Sequence, residues 1–440
     1  MRKKNDWRYL VVLLILLALA MLGSRTQAES LAAQREQDAL ARGLQLKTTV
    51  SLDWDGAPFA DEETGGMLRS MLENSWFVLL RETPEDGGAL YSFDWQLQGA
   101  SVLDWTGMRQ NGGLLEQSNL WGGRTVRSAA KTIDFAAVWN AWCEDALTST
   151  VTPLADMTAQ ITVLTQPEAI SLLDALCAAV DGADWLWQPS LPQTDGADEA
   201  AAQLQTLRDA LRALPQTLGA RVNANDALVF CVDRDAEENV VCRQMDAMLA
   251  EGTFRAEWTL AEDGRLTGVT GAGEIAGVPL TIDGILTYDT ARNNSREEIS
   301  GAVRVQYGAV SLALEWTDTA TGERTDYTRT RNGTLTLALA DGRTGAIAVA
   351  AKTTAVKGAD ARIDGGEEIV DLDALDETAR QEWYDGLRES LAQTVYTVLG
   401  RLPDASGLAF YRSQLDGGSI TELGIVQGFT GSPEFQARYG

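Results

Sequence analysis

Phe254-Arg255-Ala256-Glu257-Trp258-Thr259-Leu260 alternates apolar and polar residues and stops at Asp263-Gly264. The pattern recurs downstream. Val278, Leu280 and Ile282 alternate into Asp283-Gly284, and Val303, Val305 and Tyr307 lead to Val310, Leu312, Leu314 and Trp316. Leu335, Leu337 and Leu339 run to Asp341-Gly342, followed by Ile347 and Val349. A period of two places alternate side chains on opposite faces of a pleated strand, so each run has one apolar and one polar face. Asp-Gly and Asn-Gly supply the positive φ of tight hairpins, and Asn332-Gly333 is the strongest such signal here. Residues 254–354 therefore predict an antiparallel meander of roughly seven or eight strands.

Upstream, the same alternation marks Leu44–Leu46 and Val50–Trp54, Trp76–Leu80, Leu90–Leu97, Val102–Met108 and Leu114–Leu120. A short helix is expected over Asp61–Asn74. Between the two strand-rich halves the period changes. Phe135, Val138, Trp139 and Trp142 fall at i, i+3, i+4 and i+7, and Pro167 opens a second helix carrying Ile170, Leu173 and Leu176. A third helix is expected from Glu199 to Leu214, ended by Pro215. Ala227–Val232 reads as a strand. Asp235 with Glu238 three residues on is a capping-box pattern, predicting a helix to Glu251.

The economical fold is α+β. A curved antiparallel meander over residues 44–375 is covered by central helices (130–252) and followed by a small all-α module at 376–440. Residues 29–43 read as a helical linker. The charged stretch Gly358–Glu368 is expected to act as a hinge.

Arg2, Lys3, Lys4 and Arg8 precede an unbroken apolar run, Leu10–Leu22, with Thr26-Gln27-Ala28 as an acceptable cleavage site. Thirteen residues span about 20 Å as a helix, short of a roughly 30 Å hydrocarbon core. Residues 1–28 are thus expected to be a signal peptide or an N-terminal anchor, with the body exported to the cell surface or medium.

Composition narrows the chemistry. Thirty-six Lys and Arg against 63 Asp and Glu give −27, which argues against nucleic-acid backbones as partners. The 440 residues contain no histidine, removing Ser-His-Asp, Cys-His and His-metal sites together. No cofactor is expected. Four cysteines, at 143, 177, 231 and 242, allow two local disulfides (Cys143–Cys177 and Cys231–Cys242) or four buried thiols. Ser128-Ala129-Ala130-Lys131 matches S-x-x-K without its companion elements, and Gly271-Ala272-Gly273-Glu274-Ile275-Ala276 matches G-x-G-x-x-A without a following helix. Neither carries a catalytic expectation. Trp95, Trp105, Trp139 and Trp142 fall on apolar faces, where core packing is expected.

The C-terminus is denser in motif. Tyr396, Leu399-Gly400-Arg401, Pro403-Asp404, Gly407-Leu408 and Tyr411 are followed by Leu415, Gly417, Phe429, Ser432, Glu434 and Phe435. Over about residues 385–438 this resembles the bacterial domain of unknown function 4214, with Tyr411 where the family has Trp. The resemblance implies an extracellular or surface setting and no established activity. The residues themselves predict helices over Asp376–Leu399, Ala405–Leu415 and Ser419–Gln427. They enclose a small core of Phe410, Tyr411, Leu415, Phe429 and Phe435, with Arg401 clamping Asp404 or Glu434. The body is similar, in architecture alone, to lipoprotein-carrier folds of bacterial envelopes, which hold acyl chains between sheet and helices.

The functional expectation is a non-enzymatic envelope or surface protein whose C-terminal module meets an envelope protein or a cell-wall component. Contact with a membrane is expected only through an uncleaved N-terminal segment. The alternatives are an apolar-ligand carrier, with a cavity of several hundred Å³ between sheet and helices, and a glycosidase built on two carboxylates.

Overall fold

The computed structural model describes residues 31–55, 69, 72–83, 88–97, 99–110, 113–121, 124–129, 133–146, 149–154, 157–187, 197–219, 228–249, 252–262, 264–291, 295–358, 363, 369–398, 404–417, 419–420, 424–425, 428–429 and 432–439. The expected signal segment and most of the helix expected at 61–74 lie outside them.

One sheet organises the chain. Its strands are β1 (Leu44–Asp55), β2 (Ser75–Glu82), β3 (Ala89–Leu97), β4 (Ala100–Gln110), β5 (Gly113–Ser118), β6 (Thr125–Ala129), β7 (Ser149–Leu154), β8 (Met157–Leu164) and β9 (Leu228–Arg234). They continue with β10 (Val240–Leu249), β11 (Gly252–Leu260), β12 (Leu266–Ile275), β13 (Val278–Thr290), β14 (Arg296–Tyr307), β15 (Val310–Thr321), β16 (Thr328–Ala338), β17 (Thr344–Lys357) and β18 (Ile369–Asp371). From β7 to β17 each strand pairs antiparallel with its successor. The chain order breaks twice, at β1 and at β18. β1 lies between β17 and β2, pairing with both, so the N-terminal strand joins the two strand-rich halves. From β2 the meander runs on to β6, which β18 joins in parallel. The sheet is open, with β7 and β18 at its ends among the described residues.

Where seven or eight strands were expected over 254–354 there are seven, β11–β17, but two of their turn signals are not turns. β13 runs through Asp283-Gly284 and β16 through Asn332-Gly333. A Cβ on Gly284 would sit 2.6 Å from Val269 and 2.9 Å from Val303, so that glycine makes room for its cross-strand neighbours. Gly333 faces Trp316 across the ladder. The true turns include Gly264 and Gly342, both at positive φ. Gly271 and Gly273 lie inside β12, where a Cβ on either would come within 2.7 Å of Phe254. The G-x-G of that stretch seats a ring.

The helix expected from Asp235 is a hairpin. The Asp235 carboxylate accepts from the backbone N–H groups of Glu237 and Asn239 at 3.0 and 2.8 Å, closing the turn between β9 and β10. The same aspartate that begins a capping box also makes this turn, and the strand pairing decides between them. Cys242 is thus on a strand. Cys177, Cys231 and Cys242 are free thiols, so neither local disulfide forms. Cys231 donates to Asp233, and burial followed by that bond pushes its thiol up to about 11. The β7–β8 hairpin was not foreseen, and the strand pattern runs beyond Lys352 to Lys357 and resumes at β18.

Helices are α1 (Leu31–Ala41), α2 (Phe135–Ala146), α3 (Gln166–Asp181), α4 (Asp184–Trp187), α5 (Ala197–Gly219), α6 (Glu377–Val398), α7 (Ala405–Asp416) and α8 (Pro433–Tyr439). α5 passes through Pro215 and does not stop there. Register places Phe254, Ile282, Val303, Ala320 and Leu46 on one face, and the helices pack on it. Trp142 and Leu172 from α2 and α3 are buried with Met245, Phe254, Trp258, Leu280 and Ile282. Burying each such large side chain contributes about 1.5–3 kcal/mol. α1 is no linker: Ala32, Ala39 and Leu40 are buried against Leu46, Ala320, Tyr327 and Ala355. Within the expected hinge, Ile363 is buried against Leu90 and Met108.

The C-terminal helices are not clear of the sheet. Tyr396, Leu415, Ile425, Phe429 and Phe435 share one buried cluster with Leu97 and Val102 of β3 and β4. Trp383 of α6 is buried beside Trp121, with the Arg124 guanidinium 4.3 Å over its ring.

Candidate ligand-binding cleft

Beside α1 the helix-bearing face is left partly uncovered. Register aligns Leu46 and Thr48 of β1 with Arg81 and Leu79 of β2, and these with Tyr91 and Phe93 of β3. Trp105 of β4 faces Phe93. On the other side Thr48 faces Thr353 of β17. These side chains, with Leu80, Ser92, Glu36 of α1 and Arg331 of β16, line a cleft of about 410 Å³. Leu79 and Tyr91 are each 41% exposed there.

A network fixes the helix that borders the cleft. Glu36 lies one turn after Ala32, on the buried side of α1. It accepts from the Tyr327 hydroxyl at 2.9 Å and from Arg329 at 3.0 Å. Arg329 also grips Asp318 through both carboxylate oxygens. Burial, then the Glu36 charge and bond, raise the Tyr327 hydroxyl well above its usual range. Hydrogen bonds to Asp318 raise Arg329. Nearby, the Ala32 N–H donates to Glu297 at 3.0 Å.

Arg331 is placed differently. Asp318 stands opposite it in register, yet that carboxylate is taken by Arg329. Arg331 Nη2 donates to Thr353 Oγ1 at 3.1 Å, and Thr353 is 2.8 Å from Thr48 Oγ1. Its Nε has no hydrogen-bond partner among the described residues. The cleft thus has an apolar wall of Leu46, Leu79, Tyr91, Phe93 and Trp105, and a polar end of Arg331, Thr353 and Thr48. Its size lies within the roughly 300–1,000 Å³ of small-molecule sites.

Sequence reasoning pointed elsewhere, to the C-terminal motif. Of the expected core, Leu415, Phe429 and Phe435 share a buried cluster that also takes in Tyr396; the Tyr396 and Phe429 rings meet edge-on at 4.7 Å, and Tyr411 lies 4.9 Å from Phe429. Phe410 does not join them and is 56% exposed. Gly407 is required for closeness: a Cβ there would lie 2.2 Å from the Tyr396 hydroxyl. Leu408 beside it is half-buried. Asp404 caps α7, accepting from the Gly407 N–H at 2.7 Å, and Gly417 ends that helix. Ser432 Oγ accepts from the Phe435 N–H at the start of α8, with Glu434 in the first turn, where the helix dipole favours an acid. Leu399, Gly400, Arg401 and Pro403 lie outside the described residues, as does most of the helix expected at 419–427.

Residues 385–439 match the family model of the domain of unknown function DUF4214. The DUF4214 motif therefore reads here as packing and capping chemistry, with its aromatic core completed by β3 and β4. No curated protein matches the chain. Solved structures with some likeness include an anion-selective porin from Comamonas acidovorans, 7% identical over 71% of this chain and 99% of that one, at a TM-score of 0.21. Pseudomonas aeruginosa OccK3 is 8% identical over 74% and 99%, at 0.17, and Vibrio cholerae OmpT 7% identical over 71% and 98%, at 0.17. At such TM-scores these likenesses carry no argument about this chain.

The other sequence candidates are dispersed. Ser128 lies in β6 with its hydroxyl toward Glu116, while Lys131 is outside the described residues. Trp139 and Trp142 belong to the core, as expected, and Trp95 bonds Ser75. Trp105 instead lines the cleft, its indole N–H on Glu116. Odd-numbered β3 residues (Tyr91, Phe93) and Leu79-Leu80 were legible as strand, while Arg81 lay just beyond the expected run. What they face depends on β1 pairing with β17 of the other half, which no local pattern reports.

Proposed function

We propose that this is an exported, non-enzymatic protein of the cell envelope that holds an elongated apolar ligand in the cleft bordered by α1, β1–β4, β16 and β17. The half-exposed Leu79 and Tyr91 beside Phe93 and Trp105 carry this reading. Apolar side chains left facing solvent inside a concavity lose free energy that a bound chain restores. A two-carboxylate hydrolase finds less support here, since Glu36 is the one carboxylate lining the cleft among the described residues and is held by Arg329 and Tyr327. The DUF4214 helices, fixed on β3 and β4, would present exposed residues such as Phe410 to an envelope protein or a cell-wall component.

The test is titration of the full chain with N-phenyl-1-naphthylamine, a neutral apolar fluorophore. Saturable, blue-shifted emission at one probe per chain is expected, and Leu79→Asp should abolish it without unfolding, because Leu79 is already 41% exposed. Absence of saturable binding contradicts the reading.

A further inference from the structure

The polar end of the cleft narrows the ligand class, given the binding reading above. We infer that the ligand is a single-chain amphiphile with an anionic head, and that Arg331 receives that head. Among the described residues the charged side chains lining the cleft are Arg81, Arg331 and Glu36. Glu36 is spent on Arg329 and Tyr327. Asp318, the carboxylate opposite Arg331, is spent on Arg329 as well. Among the described residues Arg331 keeps a single hydroxyl partner, Thr353, and an Nε without one.

A guanidinium offers five donors in a planar fork that suits a carboxylate or phosphate. One placed against an apolar wall with an acid withheld from it is a charge awaiting a counterion. The setting sharpens the point, because a chain with net charge −27 repels anions over most of its surface. Thr48 and Thr353, 2.8 Å apart, add hydroxyls beside the fork. Opposite them, Leu79, Tyr91, Phe93 and Trp105 suit a hydrocarbon tail. About 410 Å³ is room for roughly thirteen water-sized groups at ~30 Å³ each, which fits one chain and not two.

Displacement of N-phenyl-1-naphthylamine from the full chain by dodecanoate, dodecyl phosphate and 1-dodecanol tests this. Both anions should displace the probe at least about tenfold better than the alcohol, the increment of a charge-assisted hydrogen bond. Arg331→Gln should bring the anion-to-alcohol ratio near one, and Arg331→Lys should restore part of it, with near-ultraviolet circular dichroism confirming the fold. Whichever anion leads identifies the head as carboxylate or phosphate. Equal displacement by anions and alcohol in the unaltered chain, or a ratio that survives Arg331→Gln, overturns the head-group assignment while leaving the cleft reading intact. Failure of the probe itself to bind removes the cleft reading instead.

Discussion

The Tyr327 hydroxyl donates to Glu36 at 2.9 Å, joining residues 291 apart in sequence and tying α1 to the β15–β16 corner. Arg329 completes the link by bridging Glu36 and Asp318, whose side chains are 18% and 14% exposed. These four side chains fix the helix beside the cleft, and Arg329 holds both acids away from Arg331.

Arg329→Met leaves Glu36 and Asp318 half-buried without their cation. Removing one partner of a buried pair costs about 3–5 kcal/mol, and some solvent access here puts the expected loss near the lower figure. Urea unfolding should show it, and adding Glu36→Gln and Asp318→Asn should return part of the stability. An unchanged midpoint for the single variant would refute the anchoring role.

Tyr327 also sets an alkaline limit. Its folded hydroxyl ionises well above the ~10 of an unfolded tyrosine. Folded and unfolded states bind the same proton below pH ~10, so this contribution is complete there. Above it the unfolded chain loses the proton first, and stability falls as pH rises. The stability difference between the natural chain and Tyr327→Phe should therefore shrink from pH 9 to 11. A constant difference would contradict the assignment.

Gly407→Ala should loosen the DUF4214 helices, since its Cβ would sit 2.2 Å from the Tyr396 hydroxyl. Overpacking of this kind costs about 1–3 kcal/mol. Hydrogen exchange is expected to accelerate across residues 404–417 and 428–439, leaving β11–β17 protected.

Deleting residues 381–440 should destabilise the body. The sequence alone suggested a detachable module, because residues after Asp376 carry their own aromatic set. In the fold that set is completed by Leu97 and Val102, which deletion would bare to water along with the Trp121 face that Trp383 covers. A lower melting temperature or aggregation is expected; an unaltered melt of residues 29–380 would restore the detachable reading.

Cys231 should resist alkylation near neutrality. With its thiol at about 11, maleimide reaction should rise about tenfold per pH unit toward that value. Fast labelling at pH 7 would show a more open strand pair than β9–β10.

Strands were legible wherever one face is apolar, as in Phe254–Leu260 and Leu90–Leu97, because period-two alternation is a local signal. Dipeptide turn signals misled at Gly284 and Gly333, where glycine answers a crowded neighbour across the ladder and not a bend. Asp235 misled for the converse reason, one carboxylate serving equally to cap a helix or close a turn. The cleft was not legible. Phe93 of its wall and Arg331 of its polar end lie 238 residues apart and meet only because β1 pairs with both β2 and β17.

The central claim is that the cleft beside α1 is occupied in the protein's natural setting. Native mass spectrometry of the full chain, released gently from whichever cell fraction holds it, is the decisive measurement. One amphiphile adduct per chain is expected, carrying an acidic head and missing from Leu79→Asp. Bare chain alone, from unaltered and altered protein alike, would contradict it.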